Sequence, residues 1–310
     1  MVHFEITTRI GCKNMCSYCP QNTLLKAYFE KDRVVMLSLD TYKLCLSKIP
    51  KSVDIHFSGY AEPFLNPQCS EMILHTYKEG YNISMFTTVV GITEKYVELI
   101  KEIPFETFTV HLPDNMDLTE IKVDEQYIKI VDLLIQNDIK NLSFMCPVRS
   151  LDEKINPALR EVFDKHDFKV NKRVVHSRSG SVDLEGVEKQ KKLVGEIPYC
   201  DRLKCNVLLP NGDVALCCMD YGLKHKLGNL LRDDFDDLYN NETFKMLMKG
   251  LTDDSIDSLC RTCEHAADLQ KKSVKLFLSK TVKALKERDV SKIKKFVKRK
   301  YKALKNLNKS

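Results

Sequence analysis

The stretch GCKNMCSYCP, residues Gly11 to Pro20, places the three cysteines Cys12, Cys16 and Cys19 within eight positions. Three thiols are too many for one disulfide bond and one too few for a closed tetrahedral metal site. A [4Fe–4S] cluster has four irons that each take one external ligand, so three thiolates on one loop leave the fourth iron open. The alternative interpretation is a zinc or structural site that borrows a distant ligand such as His3.

The composition is that of a soluble globular protein, with 43% hydrophobic and 30% charged residues among 310. This length accommodates one large domain and a smaller one. The stretch MVHFEITTRI lacks the features of a signal peptide, and no apolar run approaches the ~20 residues that span a bilayer. We therefore expect a cytoplasmic protein, in which the twelve cysteines indicate metal ligands or reactive thiols rather than disulfide bonds.

Short β-branched or apolar runs alternate with helical patterns through the first 176 residues. We predict strands at 2–8, 53–57, 83–88, 107–112, 141–146 and 168–176, and helices near 41–49, 69–79, 93–102, 125–136 and 157–166. This alternation is typical of a parallel sheet made of βα repeats, whose functional residues lie on the loops after the strands. The cysteine loop follows the first of these strands.

Cys12-Lys13-Asn14-Met15-Cys16-Ser17-Tyr18-Cys19 resembles the CxxxCxφC signature of the radical SAM enzymes, with Tyr18 at the aromatic position φ. The resemblance implies an α/β fold, a partial (β/α)6 barrel of the TIM type. It also implies that the open iron of a [4Fe–4S] cluster chelates S-adenosylmethionine and cleaves it reductively to a 5′-deoxyadenosyl radical. The protein then supplies orientation and exclusion of solvent around that chemistry.

The resemblance extends to the loops after the next strands. The segment 58–63, SGYAEP, is similar to the family's GGEP element, which holds the methionine amino group, although Ser58 replaces a glycine and two residues separate Gly59 from Glu62. Thr88 lies where relatives often have a Thr-Asn-Gly turn, and His111 occupies the ribose-contacting position. The cofactor contacts implied in this way are Tyr18, Ser58, Gly59, Glu62, Thr88 and His111.

These residues also have plain structural interpretations. A glycine and a proline after a strand usually mark only a turn, and a histidine at a strand end is often a satisfied structural residue. Arg149 and Arg178 follow the fifth and sixth strands and are suited to bind a carboxylate bidentately, but ordinary surface arginines fit the same positions.

A second group of cysteines lies in the last third of the chain, as Cys200-x4-Cys205, then LLPNGDVALCC with Cys217 and Cys218, and finally Cys260-x2-Cys263. The Asn-Gly turn between two apolar runs predicts a β-hairpin. This pattern resembles the SPASM/twitch extension of radical SAM enzymes, which holds auxiliary [4Fe–4S] clusters. The ligands implied by position are Cys200, Cys217, Cys260 and Cys263.

The module departs from the two-cluster form, because too few cysteines follow Cys217 for a second auxiliary cluster. We therefore expect one auxiliary [4Fe–4S] cluster, with a zinc ribbon as the alternative. The choice between Cys200 and Cys205, and between Cys217 and Cys218, stays open, although core packing is the first interpretation of Cys205. The remaining cysteines, Cys45, Cys69 and Cys146, lie in apolar runs and are expected to be buried thiols.

The tail carries most of the positive charge. Residues 271–310 contain sixteen lysines and arginines against two acidic residues, a net charge of +14, which leaves −8 for residues 1–270. Apolar residues recur at helical spacing on both sides of a break near Asp289, which predicts two amphipathic helices with basic polar faces. Packing on the acidic core, attachment to an anionic membrane surface and binding to nucleic acid or an acidic partner stay open. Nucleic acid is disfavoured because no recognition motif is present.

The expected domains are a radical SAM barrel at 1–180, a connector at 181–199, the auxiliary cluster module at 200–265 and the basic helical tail at 266–310. The implied function is hydrogen abstraction from a small-molecule substrate, which is oxidised or epimerised and which we expect to be sugar-containing. Flavodoxin or ferredoxin is the implied electron donor. The alternatives are a peptide- or protein-modifying maturase, disfavoured because the chain starts at the first strand, and a non-catalytic metal-binding protein that docks through its tail. No catalytic acid or base is assigned.

Overall fold

A computed structural model describes residues 3–115 and 118–286 of the chain. The described residues form two compact units. The first unit lies within Met1–Lys189 and Asp201–Lys245, and the second lies within Gln190–Cys200 and Met246–Ser310.

The first unit is built on one nine-stranded sheet with the order β6-β5-β4-β3-β2-β1-β7-β8-β9. All pairs from β6 to β7 are parallel, and the last two pairs are antiparallel. The strands are β1 (His3–Ile6), β2 (Asp54–Phe57), β3 (Ile83–Thr87), β4 (Thr107–His111), β5 (Leu142–Val148), β6 (Val170–Val174), β7 (Cys205–Leu208), β8 (Asp213–Ala215) and β9 (Lys226–Asn229).

Helices connect the parallel strands, as βα repeats require. They are α1 (Gln21–Phe29), α2 (Leu39–Lys48), α3 (Cys69–Lys78), α4 (Glu94–Ile100), α5 (Glu125–Gln136) and α6 (Pro157–Lys165). The first unit also contains α7 (Asp237–Asn240) and the start of α8 (Glu242–Gly250), and the second unit contains α9 (Glu264–Lys286). No helix among the described residues is long and apolar enough to cross a membrane.

The two faces of the parallel sheet differ in chemistry. One face is apolar and packs on the helices, as shown by Phe57 against Tyr42 of α2 and Phe144 against Phe163 of α6, with ring centroids 5.9 Å and 4.8 Å apart. The opposite, inner face is mainly polar, and most of its side chains are only partly buried, although Glu5, Asp54 and Ser84 are buried. Its polar residues are His3, Glu5, Asp54, His56, Ser84, Thr107, Thr109, His111, Ser143, Asn171 and Arg173, and the apolar residues Phe86, Met145 and Pro147 lie on the same face. A closed TIM barrel fills its interior with branched apolar side chains, so this inner face is built for something other than a packed core.

The six predicted strands and the helices between them are confirmed, and so are the hairpin and the α/β fold class. The helix α1 and the strand β9 were not predicted from the sequence. The hairpin was predicted to belong to a separate module, whereas β7 continues the barrel sheet in parallel register, with His3 opposite Cys205 and Ile6 opposite Leu208. Parallel pairing of strands 200 residues apart leaves no local pattern in the sequence.

The predicted helical tail is described only in part. Its first helix is α9, which starts at Glu264 immediately after Cys263. The second predicted helix, beyond Asp289, lies outside the described residues.

Candidate iron–sulfur and cofactor site

The cysteine loop lies at the carboxyl end of β1. Gly11 (φ +85°) and Met15 (φ +44°) adopt left-handed conformations that turn the backbone, and a hydrogen bond from the Ser17 amide to the Leu118 carbonyl, 2.8 Å long, ties the loop down. The thiols of Cys12, Cys16 and Cys19 are all partly exposed. The loop therefore presents three thiols to the same end of the sheet.

The loop thiols are close enough to influence one another. Burial raises the pKa of Cys16 to about 12, and the neighbouring Cys19 and Cys12 act in the same direction. Burial likewise raises the pKa of Cys12. Without a metal these two thiols hold their protons at neutral pH, so a metal must displace protons when it binds.

Cys19 has two polar neighbours that sequence analysis did not identify. Gln21 Nε2 donates to Cys19 Sγ over 3.3 Å, and the hydroxyl of Tyr221 lies 3.5 Å from the same sulfur. Hydrogen bonds to a ligating sulfur tune an iron–sulfur cluster, so both side chains are suited to a supporting role. Gln21 stands two residues after Cys19, so its proximity to the motif could have been predicted from the sequence. Tyr221 is distant in sequence, and only the fold brings it to the loop.

Glu62 is a buried carboxylate whose oxygens are used by protein donors. It accepts hydrogen bonds from the Phe64 amide at 3.2 Å, from Thr87 Oγ1 at 2.7 Å, and from the amide and hydroxyl of Thr88, both at 2.6 Å. Burial raises the pKa of Glu62, although these hydrogen bonds act in the opposite direction. Glu62 thereby joins the loop after β2 to the end of β3.

Asn14 extends this network to the cysteine loop. Its side chain is 4% exposed, and Nδ2 donates to Thr88 Oγ1 over 2.8 Å. Asn14 Oδ1 is buried and has no hydrogen-bond partner among the described residues, so it can still accept a hydrogen bond. Beside the loop lies a cavity of about 320 Å³, lined by Lys13, Asn14, Val89, Val90, Gly91, Ile92, Glu120, Ile121, Lys122, Asp124, Gln126, Tyr127 and Ile130.

Gly59 allows the loop after β2 to approach β1. It has φ +77°, and a Cβ at this position would collide with Thr7 Oγ1 and lie 3.1 Å from the Thr7 Cα and N atoms. The adjacent amide of Tyr60 donates to Thr7 Oγ1 over 3.2 Å. Ser58 instead points to the inner face, where its hydroxyl donates to Glu5 over 3.2 Å. The structure therefore gives Gly59 and Ser58 structural contacts within the protein.

His111 lies at the end of β4 on the inner face, with its ring centroid 6.2 Å from that of Phe86. Burial lowers the pKa of His111 to about 4, and the positive charges of Arg178 and Arg173 add to this effect. His111 is therefore neutral at pH 7, with one nitrogen able to donate and the other able to accept. Tyr18, from the cysteine loop, lies close to Cys16 and within electrostatic range of Arg178, and burial raises the pKa of its hydroxyl well above the ordinary value.

Three of the four predicted auxiliary ligands come together in the second unit. Cys200, Cys260 and Cys263 are each 8% exposed. Burial raises the pKa of Cys260 to about 12, with smaller contributions from the neighbouring thiols of Cys263 and Cys200. The fourth predicted ligand, Cys217, belongs to the first unit.

Arg261, between Cys260 and Cys263, fastens the segment that carries Cys200. Its guanidinium is fully buried, donates from Nε to the Gly250 carbonyl over 3.0 Å and from Nη1 to the Leu193 carbonyl over 3.3 Å, and lies 3.0 Å from an Asp254 oxygen. The Leu193 amide donates back to the Arg261 carbonyl over 2.7 Å. We call this set of contacts around Arg261 the arginine clasp.

The other cysteines occupy different surroundings. Cys205 is the first residue of β7, is 4% exposed and donates from Sγ to the Asp201 carbonyl over 3.4 Å. Cys218 lies near the inner face, where Arg202 Nη1 is 3.4 Å from its sulfur. The prediction that Cys45, Cys69 and Cys146 are buried thiols is confirmed, since all three are fully buried.

The donor sets fit iron–sulfur clusters. Within the described ranges, no three His, Cys, Asp or Glu side chains are grouped as a single bound metal ion requires. In a [4Fe–4S] cluster each thiolate binds a different iron, so the ligands of a cluster need not converge on one point. A cluster site is instead indicated by a group of three or four cysteine thiols without other metal ligands. The cysteine loop supplies three thiols and no competing carboxylate from its own residues, and the second unit supplies another three.

Comparison with protein families matches residues 200–264 to the SPASM family, described as an iron–sulfur cluster-binding domain. This match confirms the prediction of an iron–sulfur module in that region. Comparison with the curated proteins finds no match.

Comparison with solved structures finds the same fold. BtrN, in a complex with AdoMet and 2-DOIA, has a TM-score of 0.54 at 17% identity, covering 85% of this chain and 93% of BtrN. Native anSMEcpe with bound AdoMet has a TM-score of 0.55 at 14% identity, covering 85% of this chain and 86% of anSMEcpe. At these identities the likeness establishes the fold. The comparisons therefore show the fold of the chain and an iron–sulfur cluster-binding domain of the SPASM family at residues 200–264.

Proposed function

We propose that the protein is a radical SAM oxidoreductase that abstracts hydrogen from a small-molecule substrate. The observation that carries this proposal is the cysteine loop, which presents three partly exposed thiols at the carboxyl end of β1 in a CxxxCxφC pattern. When bound, a [4Fe–4S] cluster with AdoMet supplies an electron for reductive cleavage of the sulfonium and so a 5′-deoxyadenosyl radical.

The chain's own residues bind and orient in this proposal. Cys12, Cys16 and Cys19 hold the cluster, while Asn14 and Thr88 form a polar edge beside the cavity next to the loop. Glu62 keeps that edge in place, because its oxygens are occupied by the loop amides and the two threonines. The remaining acceptor, Asn14 Oδ1, is available to a ligand ammonium or hydroxyl group.

The inner face of the sheet is the proposed substrate site. Neutral His56 and His111 and the pair of His3 with Glu5 supply hydrogen-bond donors and acceptors there, with His3 Nε2 lying 3.6 Å from Glu5 Oε1. In the second unit, Cys200, Cys260 and Cys263 are proposed ligands of one auxiliary cluster. Cys217 stays the predicted fourth ligand.

Two observations bear on the substrate. This chain covers 93% of the length of BtrN, whose structure contains 2-DOIA. This extensive match favours a small-molecule substrate for this protein. A structure of anSMEcpe with AdoMet and a Cp18Cys peptide has a TM-score of 0.55, so a peptide-modifying enzyme is the second candidate. The polar inner face is more consistent with a compact polar substrate.

The test is anaerobic reconstitution with iron and sulfide, followed by AdoMet and dithionite. We expect 5′-deoxyadenosine from the wild-type protein and none from Cys16→Ala, whereas the matched control Cys45→Ala, a buried thiol away from both cysteine groups, retains the wild-type yield. About eight irons per chain indicate two clusters. Four irons with one zinc contradict the auxiliary cluster, and failure to form 5′-deoxyadenosine with a full iron content contradicts the enzyme assignment. Deuterium transfer from labelled candidates into 5′-deoxyadenosine then separates small molecules from peptides.

A further inference from the structure

The sulfur of Cys19 is contacted by two side chains from different parts of the first unit. Gln21, the first residue of α1, donates from Nε2 to Cys19 Sγ over 3.3 Å, and the hydroxyl of Tyr221 lies 3.5 Å from the same atom. When Cys19 binds iron it does so as a thiolate, which has no proton to donate. A tyrosine hydroxyl keeps its proton at neutral pH, so the hydroxyl of Tyr221 must then be the donor and the sulfur the acceptor.

The amide of Gln21 is held in the orientation that donates to the sulfur. The same Nε2 also donates to the backbone carbonyl of Tyr60, so its two hydrogens face two acceptors. A rotated amide would place Oε1 against the sulfur of Cys19 and the carbonyl oxygen, which offer it no proton once Cys19 is a thiolate. Oε1 is buried and has no hydrogen-bond partner within residues 3–115 and 118–286. The fold therefore keeps the donor on Cys19 although the other end of the amide is left unpaired.

Tyr221 is positioned by residues other than Cys19. Its ring meets the ring of Tyr60 edge to face, with the centroids 4.8 Å apart. The Tyr60 hydroxyl donates to the carbonyls of Cys217 at 2.8 Å and of Asp220 at 3.2 Å, in the turn that carries Tyr221. The carboxylate of Asp220 closes the same turn by accepting from the His225 amide over 2.8 Å. These contacts fix the ring, so its hydroxyl is presented to the sulfur by a preformed support.

The surroundings increase the effect of these hydrogen bonds. Tyr221 belongs to a group of buried side chains that includes Tyr28 and Leu223, and Cys19 packs against this group. In a buried environment a hydrogen bond is electrostatically stronger than in water. The donors at Cys19 should therefore have a measurable effect on the charge that its sulfur carries.

We propose that Tyr221 and Gln21 raise the reduction potential of the cluster held by Cys12, Cys16 and Cys19, because both donate hydrogen bonds to the Cys19 sulfur. The proposal rests on the cluster that the function proposed above assigns to this loop, and it adds two positioning residues to that site. Reduction adds one electron, so the thiolate sulfurs become more negative and attract a donor more strongly. Hydrogen bonds to the sulfurs are among the features that set the potential of an iron–sulfur cluster. The two donors thereby ease the uptake of the electron that is later passed to AdoMet.

The test measures the reduction potential of the loop cluster in the reconstituted protein, by a redox titration followed by EPR in the absence of AdoMet. The loop cluster is the one whose spectrum changes when AdoMet is added to a separate sample, and the auxiliary cluster is the internal reference. Tyr221→Phe removes only the hydroxyl. We expect the equilibrium constant for one-electron reduction to fall about tenfold, which is a shift of about 59 mV to more negative potential. Gln21→Leu should shift the potential in the same direction, and the double variant should shift it further.

The matched control is Tyr28→Phe. Tyr28 belongs to the same buried group as Tyr221, but its hydroxyl donates to the Val34 carbonyl over 2.7 Å. This variant loses a hydrogen bond of the same core and should leave the potential of the loop cluster unchanged. Iron content and circular dichroism check that each variant is folded and loaded, and Gln21→Leu decides the question if Tyr221→Phe does not hold iron.

The outcomes are distinct. An unchanged potential of the loop cluster in Tyr221→Phe and Gln21→Leu overturns the proposal. An equal shift in Tyr28→Phe, or an equal shift of the auxiliary cluster, also overturns it, because the effect would then come from packing and not from the donors at Cys19. If 5′-deoxyadenosine forms while the potentials are unchanged, the inference fails and the proposed function stands. If the potentials shift as expected while the wild type forms no 5′-deoxyadenosine, the proposed function fails and the inference stands.

Discussion

The two cysteine groups of this protein differ in their surroundings. Cys12, Cys16 and Cys19 of the first unit are partly exposed and stand beside a cavity, whereas Cys200, Cys260 and Cys263 of the second unit are each 8% exposed and are held by the arginine clasp. Open ligand positions permit exchange of a small molecule, while buried ones favour a permanent cluster. Under the function proposed above, the partly exposed group is the reactive site, and the buried group carries electrons or has a structural role.

The largest expected effect tests the open site. Cys16→Ala should abolish 5′-deoxyadenosine formation, because three thiolates are the minimum that holds the cluster with one open iron. About four irons per chain should stay bound, since the second group is unaffected. Iron analysis and Mössbauer or EPR spectra of the variant check both points. Loss of all iron would show that the two groups are not independent.

The matching test of the closed site removes the arginine clasp. Arg261→Leu leaves two buried carbonyls and Asp254 without their partner, so we expect a loss of roughly 3 kcal/mol in the free energy of unfolding of the second unit. Denaturant unfolding, followed together with the loss of the auxiliary cluster's absorbance, measures it. The milder Arg261→Lys should recover part of the stability because it keeps the charge. Unchanged stability in Arg261→Leu would refute the structural role of the clasp.

Gly59→Ala tests the backbone that supports the open site. Its Cβ would collide with Thr7, and its φ of +77° is unfavourable for alanine, so we expect destabilisation of about 3 kcal/mol. The control is Gly80→Ala, which has a similar φ of +78° and no atom within 4 Å of the added Cβ. Gly80→Ala should cost only about 1 kcal/mol, so the difference between the two thermal unfolding curves isolates the steric collision. If both variants lose the same free energy of unfolding, the destabilisation comes from the backbone conformation alone and not from the collision with Thr7.

Glu62→Gln tests the network that connects the loops after β2 and β3. The amide nitrogen of glutamine would face donors that now meet a carboxylate oxygen, so at least one buried hydrogen bond is lost. We expect a destabilisation of about 2 kcal/mol and several-fold weaker AdoMet binding. Chemical denaturation and equilibrium binding of AdoMet to the reconstituted protein measure the two effects. Unchanged values for both would show that the network is dispensable.

The smallest effect concerns pH. The pKa of His111 in the folded protein is about 4, below the ordinary value near 6.5, because of burial and then the charges of Arg178 and Arg173. The unfolded chain therefore binds more protons between pH 6.5 and 4, so this contribution to stability is complete above pH 6.5 and is lost as the pH falls toward 4. In His111→Gln, the decrease in the free energy of unfolding between pH 6.5 and pH 4 should be smaller than in the wild type by about 1–2 kcal/mol. If the free energy of unfolding depends on pH in the same way in the variant and the wild type, other groups cause the loss of stability.

Much of the fold and of the open site could be predicted from the sequence. The periodicity of the apolar residues located the six strands β1 to β6 of the βα repeats, because each strand and helix buries its own face over a short stretch. The cysteine spacing identified the loop for the same reason, since Cys12, Cys16 and Cys19 are local to one turn. Long-range pairings could not be predicted from the sequence. The pairing of β7 with β1 and the contact of Tyr221 with Cys19 join residues about 200 positions apart, so no local pattern indicates them.

The sequence alone determined the six βα repeats, the two cysteine groups and the thiol-only chemistry that follows from them, because these depend on spacing along the chain. Only the tertiary structure decided what surrounds those groups. It showed that both carboxylate oxygens of Glu62 accept hydrogen bonds from the protein, and that Arg261 holds the segment that carries Cys200. Burial and charge balance are properties of a folded surface, and they arise from residues that no local pattern brings together.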